Sequence, residues 1–236
     1  MGEFELIRVG DASALAQQAA QDFVRLVDSE AAPLSVALAG GRIAGQFFSA
    51  VARLAEGRDG RLAAAEWFWS DERCVPPEDE RSNYRLAREH LLEPLHVPIS
   101  QIHRIRGELV PQIAAAEAEA EVRRLVGGGP TGQPALDLVF LGVGEEGHVA
   151  SLFPGEPATT VADPAVFRAV VTPKPPPQRL TMGYPALAAA KRVWVLASGA
   201  GKEGALRESL APTGRTPLAR VIQSRTLTRI YTDLQV

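Results

Sequence analysis

The chain has a single cysteine, Cys74, among its 236 residues. That excludes an internal disulfide and any zinc site built on several thiolates, and it fits a reducing compartment. No apolar run nears the roughly 18 residues that a membrane span needs, and the opening MGEFELIRVGDAS lacks the basic end and apolar core of an export signal. A cytoplasmic protein without membrane attachment is expected. Four histidines, His90, His96, His103 and His148, form no HExxH or comparable helical pair, so no protein metal site is expected either. The formal charge is only −3, with both signs intermixed. No broad positive field is available to attract a nucleic-acid backbone.

What is present is a regular alternation. With 46% hydrophobic residues the chain can bury one substantial core, and one domain over 1–236 is expected, with room for a small subdomain. Short apolar runs at 4–9, 34–39, 66–70, 101–105, 136–142, 165–171, 192–198 and 228–233 predict strands. Alanine- and leucine-rich stretches between several of them predict helices, beginning near 11, 42, 82, 111 and 201. This order predicts an α/β fold of βα units around a largely parallel sheet. Asp11 or Ser13 can cap the first helix and Ser82 the third, while Gly127 to Gly129 end the fourth. GGGPTGQP (127–134) reads as a surface loop. PKPPPQR (173–179) reads as a stiff segment short of backbone donors.

GVGEEG (142–147) has the spacing of a dinucleotide-binding fingerprint, but the context does not fit. After the strand come HVASLFPG (148–155), with room for at most one turn of helix, and Asp163 lies in a turn rather than at the end of a second strand. No nicotinamide or flavin cofactor is expected. The glycines instead suit a loop at the carboxyl end of a central strand that presents His148 beside Glu145 and Glu146. Two further loops follow strands in the same way. One passes through Gly40 and Gly41 to Arg42 at a helix start, where free amides can hold a phosphate. The other carries Asp71, Glu72 and Arg73. Three such loops predict one polar pocket.

SDERCVP (70–76) with SNY (82–84), GVGEEGHVASLFPG (142–155), TPKPPPQRLT (172–181) and SGAGKEGAL (198–206) closely resemble, in order and spacing, the motifs of the 6-phosphogluconolactonase family. The related glucosamine-6-phosphate deaminases differ after the histidine, where an AFNEP-like stretch replaces ASLFPG. The resemblance implies hydrolysis of 6-phospho-D-glucono-1,5-lactone to 6-phosphogluconate, the second step of the oxidative pentose phosphate pathway, without cofactor or required metal. It also implies the form of the fold, a doubly wound, mostly parallel Rossmann-like sheet with helices on both faces. A monomer or small homo-oligomer is expected. His148 is then the expected base and Glu146 its orienting carboxylate. Gly40, Gly41, Arg42, Asp71, Arg73, Arg179 and Lys202 are the expected substrate and phosphate contacts. Ser151, three residues after His148, has no orienting base of its own and is expected to be structural or to touch substrate.

Two positions depart from the family pattern. Glu146 stands where aspartate is usual, and Ala39-Gly40-Gly41-Arg42 replaces SGGS, with Arg42 offering a charge in place of hydroxyls. The alternatives left open are a sugar-phosphate deaminase or isomerase, and a non-catalytic sugar-phosphate sensor.

Overall fold

The apolar runs sort into two sheets of opposite character. The computed structural model describes residues 2–58 and 60–236. In chain order the first half holds β1 (Glu3–Arg8), α1 (Ala12–Ser29), β2 (Ser35–Leu38), α2 (Arg42–Ala55), β3 (Glu66–Trp69), β4 (Asp71–Arg73), α3 (Asn83–Ala87) and α4 (Pro111–Val126). Then follow β5 (Leu138–Gly142), α5 (Ala158–Val161), β6 (Phe167–Val171), β7 (Gln178–Met182), α6 (Tyr184–Ala189), β8 (Val193–Ala197), α7 (Glu203–Leu210), α8 (Pro217–Gln223) and β9 (Leu227–Thr232).

Six strands pair in the order β1-β9-β8-β5-β2-β3, every pair parallel. Their side chains are buried on both faces in β2, β8 and most of β5, as a sheet covered by helices requires. The path from β1 through α1 to β2, and on through α2 to β3, runs one way across the sheet; the path from β5 to β8 to β9 runs the other. Right-handed crossovers therefore set α1 and α2 on one face and α6, α7 and α8 on the other. In keeping with this, α1 packs on α2, while α8 packs on α6 and α7. The core is anchored by Phe23, Phe47 and Phe140, mutually in ring contact and each at most 2% exposed.

The second sheet is antiparallel, in the order β4-β7-β6. β6 was expected as a further strand of the alternation; it lies instead in this small sheet, packed against α4. The run 101–105 was also expected as a strand and is not one. Ile99–Gln101 form a 3-10 turn, and only an isolated parallel bridge joins Ile102 to Trp67. His103 is pinned there, Nε2 to Glu66 at 2.6 Å and Nδ1 to Glu121 at 3.0 Å. Side-chain ties thus cover the β3 edge where a backbone ladder was expected.

The expected caps form. Asp11 Oδ1 accepts from the Ala14 amide at 2.8 Å, and Ser82 Oγ accepts from the Arg85 amide at 3.2 Å. Gly127, at φ 70°, closes α4. The predicted third helix is α-helical only over 83–87 and continues through wider π turns at Arg88–Leu92.

Candidate active site

The direction of winding reverses between neighbouring strands β2 and β5, so the loops leaving their carboxyl ends diverge and open a crevice. A cleft of about 520 Å³ lies there, lined by the turns after β2, β5 and β8 and by β4 and β7 of the small sheet. It brings together Gly40, Gly41, Arg42, Asp71, Arg73, His148, Arg179 and Lys202, and adds Lys174.

The glycines of the 142–147 turn do different jobs. A Cβ on Gly144 would stand 2.0 Å from the Cε1 and Nδ1 atoms of His148, so the imidazole rests directly on this residue's backbone. Gly147 has φ +77°, and its missing Cβ leaves space for Thr216. At Gly142 the nearest atom is Gly40 O, at an ordinary 3.8 Å. No helix follows the turn; residues 148–155 are irregular, so the helix that a dinucleotide fingerprint requires is not formed there.

The imidazole is stacked on Phe153, centroids 4.3 Å apart, and its Nδ1 lies 3.0 Å from Glu146 Oε2. Burial works against ionisation of Glu146. Hydrogen bonds from Lys174, from its own amide and from His148 outweigh that, and hold its pKa down to about 2. An ionised carboxylate only accepts, so Nδ1 carries the proton and Nε2 of the neutral ring keeps its lone pair. Burial pushes the His148 pKa below its ordinary value, opposed by Glu146. The ring is therefore in its basic form near neutral pH.

Asp71 is buried at 4% exposure. Its Oδ2 accepts from Ser151 Oγ at 2.7 Å and its Oδ1 from Asn83 Nδ2 at 3.1 Å. Ser151 is itself 1% exposed. Its hydroxyl serves Asp71, the structural one of the two roles expected for it. Asn83 also explains the first glycine turn: a Cβ on Gly40 would sit 1.8 Å from Asn83 Oδ1. Asn83 is held in turn by the buried Glu72 carboxylate. That group accepts from the amides of Arg73, Asn83 and Tyr84 and from Ser82 Oγ, all between 2.7 and 3.0 Å. The spacing from SDER to SNY is thus that of one carboxylate gathering two chain segments. Asn83 lies within the SNY motif, but its task is not legible in the sequence, since a lone asparagine has no periodicity to betray it.

Positive charge collects at two places. Lys202, ahead of α7, has its pKa lowered by burial and by the neighbouring Arg42, so these two cations share one side of the cleft. Arg73 and Arg179 stand directly opposite each other on β4 and β7. Like charges in that register repel, and Arg179, 5% exposed, has its pKa lowered by burial and by Arg73. The Arg179 guanidinium also braces the proline-rich connection, donating from Nε to Pro176 O at 3.1 Å. Arg73 Nη1 donates to Arg81 O at 2.6 Å. An anion between such cations relieves their repulsion. Among the described residues no group of three or more His, Cys, Asp or Glu is arranged to hold a metal ion, and no helix is long and apolar enough to cross a membrane.

Comparison with known proteins places this geometry. Residues 10–230 match the family model described as glucosamine-6-phosphate isomerases/6-phosphogluconolactonase. A rice (Oryza sativa subsp. indica) relative named probable 6-phosphogluconolactonase 3, chloroplastic, is 36% identical over 87% of this chain. The chain spans 65% of that relative's length. The human 6-phosphogluconolactonase is 35% identical over 91% of this chain and 83% of its own. The solved 6-phosphogluconolactonase of Trypanosoma brucei superposes with a TM-score of 0.81 at 27% identity, covering 98% of this chain and 96% of that one. The chain belongs to the glucosamine-6-phosphate isomerase/6-phosphogluconolactonase family.

Proposed function

We propose that the protein hydrolyses 6-phospho-D-glucono-1,5-lactone to 6-phosphogluconate in the oxidative pentose phosphate pathway. The observation that carries this reading is an imidazole seated on Gly144, tied through Nδ1 to an ionised Glu146, in a cleft lined by arginines and lysines. Opening a lactone needs a base for the attacking water and positive surroundings for the oxyanion that forms on the carbonyl.

In this mechanism His148 Nε2 takes a proton from water as its oxygen bonds to C1. The resulting imidazolium is stabilised by Glu146. Collapse of the tetrahedral intermediate breaks the bond from C1 to the ring oxygen, and the proton passes from Nε2 to that oxygen, restoring the neutral base. Arg42, Lys202 and the amides at the start of α2 hold the phosphate, with Arg73 and Arg179 supplying charge from the small sheet. Asp71, fixed by Asn83 and Ser151, faces the sugar hydroxyls. No cofactor enters any of these steps. The reading extends to one lactonase domain over 1–236, acting in the cytoplasm as a monomer or small homo-oligomer on a small phosphorylated sugar.

The test is acid release from freshly prepared lactone at controlled pH, with and without protein, because the lactone also opens unaided. Release well above background is expected, with ammonia formation from glucosamine 6-phosphate at background. Tight binding of 6-phosphogluconate with no acceleration overturns the proposal in favour of a sensor.

A further inference from the structure

Lys174 reaches the site from outside the parallel sheet. It stands on the connection between β6 and β7, and its Nζ lies 2.9 Å from Glu146 Oε1 and 3.0 Å from Glu146 Oε2. Oε2 is also the atom that faces His148 Nδ1. The connection that carries the lysine is tied down on the other side. Arg179 Nε donates to Pro176 O, and the Thr172 amide donates to Pro177 O at 2.8 Å. Thr172 Oγ1 donates to Lys174 O at 3.1 Å. A stiff segment thus delivers an ammonium group to both oxygens of the carboxylate behind the imidazole. The lysine side chain remains 41% exposed, so packing alone does not account for where it points.

We propose that Lys174 is a positioning residue of the lactonase reaction, clamping the Glu146 carboxylate so that it holds His148 with its proton on Nδ1 and Nε2 toward the cleft. The proposal rests on His148 being the base. It also gives the glutamate at this position a purpose: its side chain reaches the imidazole and the lysine at once. An aspartate would have one methylene less with which to reach both. Three charged groups act on the imidazole from three elements: Glu146 from its own turn, Asp71 from β4, and Lys174 from the β6–β7 connection. Of these, Lys174 alone opposes protonation.

The experiment compares Lys174→Met and Lys174→Arg with the parent protein in the lactone assay across pH, alongside Glu146→Gln, the double variant Glu146→Gln/Lys174→Met, and His148→Ala. Lys174→Met is expected to lower kcat by roughly ten- to a hundredfold, the scale of a misaligned reacting group. KM should stay within about twofold, and the acid limb of kcat should move to higher pH as the imidazole loses a repelling charge. Lys174→Arg restores most of the rate. The double variant is no slower than Glu146→Gln, since both act through one contact. A Lys174→Met protein with normal kcat and an unmoved acid limb overturns the proposal, as does one that raises KM alone, which is the mark of a substrate contact. If His148→Ala keeps the parent rate, the base assignment fails and this proposal with it. An inactive His148→Ala beside a normal Lys174→Met removes only the lysine.

Discussion

The two sheets divide the labour of the site. The parallel sheet is apolar and buried at its centre, and it contributes to the cleft through what its strands release at their carboxyl ends: an imidazole on a glycine bed after β5, a glycine turn after β2, a lysine after β8. The small antiparallel sheet contributes through its own body. Asp71 and Arg73 on β4 and Arg179 on β7 are parts of the ladder; the Asp71 side chain is fixed by buried hydrogen bonds, and the two guanidinium groups are tied to backbone carbonyls. One region lines the cleft with groups on turns, and the other lines it with a polar frame built into strands. The difference teaches where rigidity comes from: hydrophobic packing sets the sheet, whereas satisfied buried polar contacts set the angles of side chains that line the cleft.

The comparison can be broken first at the glycine bed. Gly144→Ala puts a methyl where the imidazole lies and is expected to cut kcat by about a hundredfold or more, the range for loss of a positioned base. Gly142→Ala, with nothing closer than 3.8 Å, should retain near-normal turnover. Equal losses in the two would mean that the turn, not the ring's seat, is what matters.

The frame is tested next by Asn83→Ala. It removes a buried donor from Asp71 and is expected to cost about 1.5–3 kcal/mol of stability, the scale of a hydrogen bond to a charged group, together with a several-fold rise in KM. Urea denaturation and steady-state kinetics report the two separately. An Asn83→Ala protein unchanged in both would show that the small sheet is only a scaffold.

A smaller effect concerns pH. Because burial lowers the His148 pKa and the proposed base is the neutral ring, the acid limb of kcat/KM should have its midpoint below the ordinary imidazole value of about 6.5. Activity is then retained on mild acidification and lost only when pH falls through that lowered value. A midpoint above 6.5 would mean that Glu146 outweighs burial. Smallest of all is Asp11→Ala, which removes the cap of α1 far from the cleft. About 1 kcal/mol of stability should be lost, seen as a shift in the urea midpoint with unchanged kinetics.

The same division governs what can be read from the sequence. The parallel strands are legible because continuous apolar runs such as VWVLA have one physical outcome, burial between helices. The turn at 142–148 is legible because a strand that ends in closely spaced glycines beside a histidine and two acids has little packing reason to exist. The small sheet is much less so. β4 is the three residues Asp71-Glu72-Arg73, polar throughout, and β7 begins inside the run after three prolines. Neither has the apolar alternation that marks a strand, because their buried side chains are satisfied by partners 80 or 12 residues away, as Ser151 and Asn83 are for Asp71. Lys174 is hidden for the same reason: among prolines it reads as a surface charge until the fold brings Glu146 to it. α6 and α8 also escaped, being only six and seven residues long. The strand expected at 101–105 was overridden by the ties of His103 to Glu66 and Glu121.

The central claim is that one imidazole at the mouth of the parallel sheet does the proton transfer. The most direct measurement is the rate of acid release from fresh 6-phospho-D-glucono-1,5-lactone by His148→Gln protein, background subtracted, beside the parent protein at the same pH. A fall in kcat of about a hundredfold or more with the fold intact is the predicted result. A rate within a few-fold of the parent would contradict it.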